Sequence, residues 1–267
     1  MKIAVLCTDD PHQQYLVSEL ERRFGLVGVV LERNRSQRSR LWRRRRYRAW
    51  LYRIYHMLRA RYTGSSRHRR EFFLSQVPAG ETWPEVTVEV PWVNNKQARG
   101  LLAEWQPDVT IVSGTGILRR SLLAHTGFTI NIHGGCLPEY KGNHGVFFAF
   151  LEGRFDQIAA TLHLVTPGLD EGPILEVVRP PIYPHDHDEA LYSRSVYLAM
   201  RRLFALLERM RDGWRPAGAP QASVGRTFRH RDRKPLLELG LWLRRRTGRH
   251  PVPHRPAAPD GDGATFE

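Results

Sequence analysis

This sequence lacks long apolar runs, paired cysteines and, over one stretch, any acidic residue. No segment approaches the roughly eighteen consecutive apolar residues that a membrane-crossing helix needs. Its two cysteines, Cys7 and Cys136, lie far apart with no CxxC spacing, which excludes a disulfide framework and a cysteine-based zinc site and predicts reduced thiols. The apolar opening Met1 to Cys7 is cut off by Asp9, Asp10 and Pro11, too soon for a secretory signal, so a cytoplasmic location is expected. Residues 33–70 hold fifteen arginines and no Asp or Glu, so the net charge of +14 belongs to that segment and the remaining chain is close to neutral. A basic partner surface is therefore expected there, with a smaller one near the C-terminus.

The periodicity predicts alternating strands and helices. Lys2 to Cys7 reads as a buried strand, and Asp10, Pro11 and Gln13 as a capped helix start, followed by a second strand at Leu26 to Leu31. Further strands are expected at Val86 to Val90, Val109 to Ser113, Thr129 to His133, Ile158 to Val165 and Ile174 to Val178. Helices are expected over Asn95 to Trp105 and Glu189 to Arg211. Short strands apolar on both faces suit a sheet covered on both sides, so the fold class is α/β, a Rossmann-like, mostly parallel sheet with helices on both faces. The domain reading is a catalytic unit over 1–213, interrupted by the arginine-rich insert at 33–70, and a basic, irregular extension over 214–267 whose residues 250–267 look disordered.

Within the insert, Tyr47, Trp50, Leu51, Ile54, Tyr55 and Leu58 recur at helical spacing among arginines. Such an amphipathic helix packs its aromatic stripe on the body or lies on an anionic membrane surface. No RNA-binding or helix-turn-helix motif accompanies the charge, so nucleic acid is not the expected partner.

The stretch Asn131-Ile132-His133-Gly134-Gly135-Cys136-Leu137-Pro138-Glu139-Tyr140-Lys141-Gly142 carries the chemistry, with Gly168-Leu169-Asp170-Glu171-Gly172 behind it. Residues two apart on a strand share a face, so Asn131 and His133 project together where the strand meets a loop, the usual ligand crevice of a parallel sheet. Other polar groups invite blander readings. His144 reads as a loop histidine or a substrate contact, with Asn143 as the helix cap. His185, Asp186, His187 and Asp188 read as a polar cap ahead of a helix, and Cys136 as a packed thiol. No metal site is expected.

In Asn131-x-His133, Leu137-Pro138 with Gly142 after it, and Gly168-Leu169-Asp170 with Gly172, the sequence resembles the formyltransferase family. That family includes the methionyl-tRNA, glycinamide ribonucleotide and sugar N-formyltransferases, and the resemblance spans roughly residues 1–213. It implies 10-formyltetrahydrofolate as co-substrate, a small-molecule amine as acceptor, and Asn131, His133 and Asp170 as catalytic residues. It also implies a folate site on the loops bearing Gly114, Gly116, Ile117 and Leu118 and bearing Leu169 and Gly172, with His12 and His144 toward the acceptor. For Gly114 and Gly116 a turn needing positive φ is an equal reading.

The departures narrow the acceptor. Cys7-Thr8-Asp9-Asp10-Pro11-His12 replaces the glycine-rich phosphate loop of the glycinamide ribonucleotide enzymes, and the segment after Gly213 is short for the barrel of the tRNA enzymes. With the first strand starting at Lys2, the regulatory domain of the folate-cleaving hydrolases is not expected. An amino sugar, linked to a nucleotide or lipid, or another small biosynthetic amine is the expected acceptor. Formyltetrahydrofolate hydrolysis and a non-catalytic binding module are the alternatives. Oligomeric state is left open.

Overall fold

The computed structural model describes residues 1–77, 83–222 and 224–256. The chain runs β1 (Ile3–Cys7), α1 (Pro11–Phe24), β2 (Gly28–Leu31), α2 (Asn34–Arg43), α3 (Tyr47–Tyr62), α4 (Ser65–Leu74), β3 (Thr87–Glu89), α5 (Lys96–Trp105) and β4 (Val109–Ser113). It continues with α6 (Arg120–Leu123), β5 (Phe128–His133), β6 (Tyr140–Gly142), α7 (Gly145–Leu151), β7 (Ala160–Leu164), β8 (Ile174–Val178), α8 (Asp188–Arg209), β9 (Arg226–Phe228) and α9 (Pro235–Arg246). Seven strands form one sheet in the order β3-β2-β1-β4-β5-β7-β8. The first five of these pair in parallel, whereas β7 pairs antiparallel with both of its neighbours, β5 and β8.

β1 and β4 are buried at every position, as strands covered on both faces must be. The pleat divides β1 between two layers: Ile3, Val5 and Cys7 face α1 and α8, whereas Ala4 and Leu6 face α5 and α6. Leu16, Leu20, Leu203 and Leu207 are fully buried against the first layer, each contributing about 1.5–3 kcal/mol of burial. The start of α1 departs from expectation. Asp10 makes no capping bond and instead accepts from Asn34 at 3.2 Å, while Gln13 donates to Ser113 at 3.3 Å rather than reaching back. The cap ahead of α8 is present, with His187 accepting from the Ala190 amide at 3.2 Å.

Where one amphipathic helix was read in the insert, there are three. Phe73 of α4 is wholly buried in the core, but no residue of α3 is. The tail corrects a second expectation, because it is not irregular. β9 pairs in parallel with β6, and Phe228 stacks on Phe148 at 4.0 Å between ring centres. Arg233, only 3% exposed, donates to Asp188 at 2.8 Å, and Leu241 of α9 joins an apolar cluster with Phe147 and Phe150. Arg255 bridges to Ile182 and donates to the Pro180, Phe155 and Ile158 carbonyls, so residues 250–256 are placed; 257–267 lie outside the described residues.

Candidate active site

β5 presents Asn131 and His133 on one face while Ile132 packs into the core behind them. The antiparallel pairing of β5 with β7 sets His163 opposite Asn131 and Thr161 opposite His133. The Asn131 side-chain nitrogen lies 2.9 Å from His163 Nε2. Asp170, on the loop after β7, closes the group: one carboxylate oxygen is 3.5 Å from His133 Nδ1 and the other 3.6 Å from His163 Nε2. The Gly142 amide donates to it at 2.7 Å. Asp170 adopts φ 52°, a left-handed conformation that aspartate tolerates better than most side chains.

The hydrogen bonds assign the protons. His133 Nε2 faces the Tyr140 carbonyl at 2.8 Å and therefore donates, leaving Nδ1 toward Asp170. His163 Nδ1 faces the Leu164 carbonyl at 2.8 Å and donates, leaving Nε2 to accept from the Asn131 amide. Asn131 keeps a second amide N–H and its carbonyl for a ligand. Burial alone would raise the Asp170 pKa. The His133 and His163 rings beside it and the Gly142 amide outweigh it and hold the carboxyl well below its usual range. Asp170 is therefore ionised at neutral pH.

The surrounding loops are fixed by specific contacts. Thr161 donates to the Gly135 carbonyl at 2.7 Å and accepts from the Leu137 amide at 3.1 Å, riveting the loop after His133 to β7. Gln221, from the tail, donates to the Asp170 and Gly172 carbonyls at 2.7 and 2.9 Å. Gly172 is required because a Cβ there would stand 1.8 Å from the Leu164 carbonyl oxygen.

Of the residues expected to meet folate, Gly114 does need positive φ, at 75°, and its missing Cβ leaves room for Gln13 and Thr8. Gly116 does not, and its Cβ direction is open, so the turn reading fails there. Val112 registers with Asn131, so the Gly114 loop emerges beside the C-terminal end of β5. In that loop Ile117 is exposed and Leu118 is buried; Asn94 braces it, donating to the Ile117 carbonyl at 3.0 Å and accepting from the Arg119 amide at 2.6 Å. Leu169 is half-buried on the Asp170 loop.

His12 and His144 lie apart from the central group. His12 is buried, with its ring against Phe73 and Tyr192 and the Tyr192 hydroxyl 3.3 Å from Nε2. Tyr192 in turn fills the space beside Gly134, so His12 stands behind the site wall. Burial, reinforced by Arg69 and opposed by Asp10, lowers its pKa and keeps it neutral. His144, rather than Asn143, is the residue that caps α7, at φ 64° and with no side-chain cap. Its Nε2 lies 3.1 Å from His230 Nδ1 and its ring 4.7 Å from that of His56.

The sequence reading missed His163, Gln221, His56 and His230. His163 had a signal, a polar residue at an inward position of a predicted strand, but its partner depended on strand pairing. His56, His144 and His230 each offer a nitrogen within 4.8 Å of the others, a set a metal ion could use. The charge around them argues against a cation. Burial lowers the pKa of all three, and arginines add to it: Arg233 and Arg59 beside His144 and His56, Arg53 beside His230. At the other suspected cluster, Asp186 is paired with Arg194 at 2.8 Å. Cys136 is a packed thiol, its pKa raised by burial.

Asn131, His133, His163 and Asp170 thus form one polar group at the C-terminal end of β5, inside an open α/β sheet. Residues 76–205 match the model of the formyl transferase family. The chain is 32% identical over 138 residues to a methionyl-tRNA formyltransferase of Aromatoleum aromaticum, covering 51% of this chain and 43% of that protein. It is 36% identical over 105 residues to a phosphoribosylglycinamide formyltransferase of Mycobacterium tuberculosis, covering 39% of this chain and 48% of that one. It thus spans less than half the length of these relatives. A solved sugar N-formyltransferase from a Shewanella species shares the fold, with a TM-score of 0.51 at 15% identity over 85% of this chain and 76% of that one.

Proposed function

We propose that this protein transfers a formyl group from 10-formyltetrahydrofolate to a primary amine, with Asn131, His133 and Asp170 carrying the reaction. The observation that carries this reading is the ionised Asp170 carboxylate held between two imidazoles beside Asn131, within the stretch that matches the formyl transferase family. Attack of an amine on a formyl carbon develops an oxyanion and a cationic nitrogen. The spare Asn131 N–H and, when the ring is protonated, the His133 Nδ1–H are donors suited to the first, and Asp170 is an acceptor suited to relay a proton from the second to the departing folate nitrogen. The folate carrier supplies the activated formyl group. The Gly114 loop and the Asp170 loop fit it as backbone walls, because the Gly114 loop emerges beside the end of β5 and Gly172 keeps the second loop against Leu164.

The acceptor is an amino sugar or another small amine. In the loop after β1, the Asp9 carboxylate accepts from the Asn34 amide at 2.7 Å and Asp10 accepts from its side chain, so these groups brace α2 and offer no phosphate cradle. Contact with an anionic membrane is the further partner reading. Tyr47, Leu51, Leu58 and Tyr62 are exposed along one stripe of α3, and Leu236, Leu239 and Leu243 along one stripe of α9, among many arginines. The two helices are neighbours, joined by Arg59 and Glu238 at 3.4 Å.

The test incubates the protein with 10-formyltetrahydrofolate and a panel of amino sugars, following tetrahydrofolate release and product mass. Formylation of one amine by the wild type and not by Asn131→Asp is the expected result. Formate release that needs no amine would replace transfer with hydrolysis.

A further inference from the structure

A cavity of about 410 Å³ lies between the insert and the tail, within the range of small-ligand sites, about 300 to 1,000 Å³. Six arginines line it: Arg45, Arg46, Arg48 and Arg53 from the insert, and Arg229 and Arg231 from the segment leading to α9. No acidic side chain lines it among the described residues, and Tyr47 and Tyr52 add aromatic walls. Of the six guanidinium groups, that of Arg231 alone meets a carboxylate among the described residues, Asp232 at 3.9 Å. Arg53 forms no ion pair there. Burial lowers its pKa first; Asp10 and Glu32 oppose it, and Arg40 and Arg38 push the same way as burial.

Five of these arginines are exposed and Arg53 is half-buried, so like charges gather around one water-accessible cavity, and an anion bound there would ease their mutual repulsion. The neighbouring imidazoles register the same field, since His230, in the cavity wall, is driven toward its neutral form by burial and then by Arg53. Neutral imidazoles can still donate one N–H each. Guanidinium groups match phosphate oxygens with paired N–H donors, and several around one cavity suit a doubly or triply charged ester. The cavity also touches the reacting site along the chain: Asn143 lines it and directly follows Gly142, whose amide holds Asp170. Apart from Asn143, its lining lies outside the residues that match the formyl transferase family.

We propose that this cavity binds the phosphate or diphosphate ester of the amine acceptor and so selects which amine reaches Asp170; the proposal rests on the formyl-transfer reading. The test uses the full chain and inorganic pyrophosphate as probe, by titration calorimetry at low salt. The expected result is binding that Arg53→Gln and Arg229→Gln each weaken by roughly tenfold or more, the loss of one charge-assisted contact. Tetrahydrofolate binding should be unchanged in both, which shows that the variants are folded. Asn131→Asp should bind pyrophosphate as the wild type does. A wild type that ignores pyrophosphate, or variants that bind it undiminished, would overturn the proposal.

Uridine diphosphate in solution and farnesyl diphosphate in phosphatidylcholine vesicles then separate the sources. Tighter binding of the first supports a nucleotide-linked acceptor, and of the second a lipid-linked one. If pyrophosphate binds through Arg53 but 10-formyltetrahydrofolate is never consumed, the formyl-transfer reading fails and the acceptor role fails with it, although the anion site stands.

Discussion

Asn131 and His133 reach the same space because a strand alternates its side chains, and Asp170 joins them because a loop in a left-handed turn carries its carboxylate between two imidazoles. Exchanging Asn131 for Asp would replace the donor amide with a negative charge where an oxyanion forms. Turnover should fall by 10² to 10³ or more, with the circular dichroism spectrum unchanged. Asp170 makes a pH-dependent contribution whose sign follows from its lowered pKa. Stability from the ionised carboxylate is fully present above its unfolded pKa of about 3.9 and is lost as pH falls toward the lower folded value. Asp170→Asn should therefore be less stable than wild type at pH 7, by roughly 1–3 kcal/mol for hydrogen bonds to a charged group. The gap should narrow in urea titrations below about pH 4. A gap that stayed constant with pH would mean that Asp170 is not held ionised by its partners.

The site depends on elements that the motif residues cannot summon by themselves. β7 must run antiparallel to β5 for His163 to meet Asn131, and the tail must return for Gln221 to hold the Asp170 loop. Gln221→Ala removes two hydrogen bonds, each worth about 0.5–1.5 kcal/mol, and should increase amide exchange over residues 166–172 more than elsewhere. Exchange that rises uniformly would mean that Gln221 supports the fold at large. Gly172→Ala forces a methyl group against the Leu164 carbonyl and should cost several kcal/mol, read as a lowered Tm. The sequence showed Asn131, His133 and Asp170 because their order along the chain is itself a pattern. His163 and Gln221 have no such pattern, since their roles follow from strand pairing and from a distant segment folding back.

At the scale of the whole molecule, charge and exposed apolar surface coincide. The insert supplies the excess positive charge, and the neighbouring helices α3 and α9 leave apolar stripes uncovered. The double variant Leu51→Glu, Leu58→Glu, at two exposed positions, should lose most binding to phosphatidylglycerol vesicles in co-sedimentation, and wild-type binding should weaken with salt. Co-sedimentation equal in wild type and variant would exclude this face as the contact.

The sequence by itself determined the sheet strands, the covering helices, the location of the charge and three polar residues, Asn131, His133 and Asp170, that the fold brings together. Each is written in local periodicity, in composition or in short spaced motifs. Tertiary structure alone decided the rest: the tail as a strand and helix locked to β6 and α7, the histidine facing Asn131, and the arginine cavity between insert and tail. These depend on contacts between residues tens to hundreds of positions apart, which no local pattern encodes. The tail docks because packing Phe228 and Leu241 against the body, with Arg233 paired to Asp188 and Glu238, is more favourable than leaving it in water.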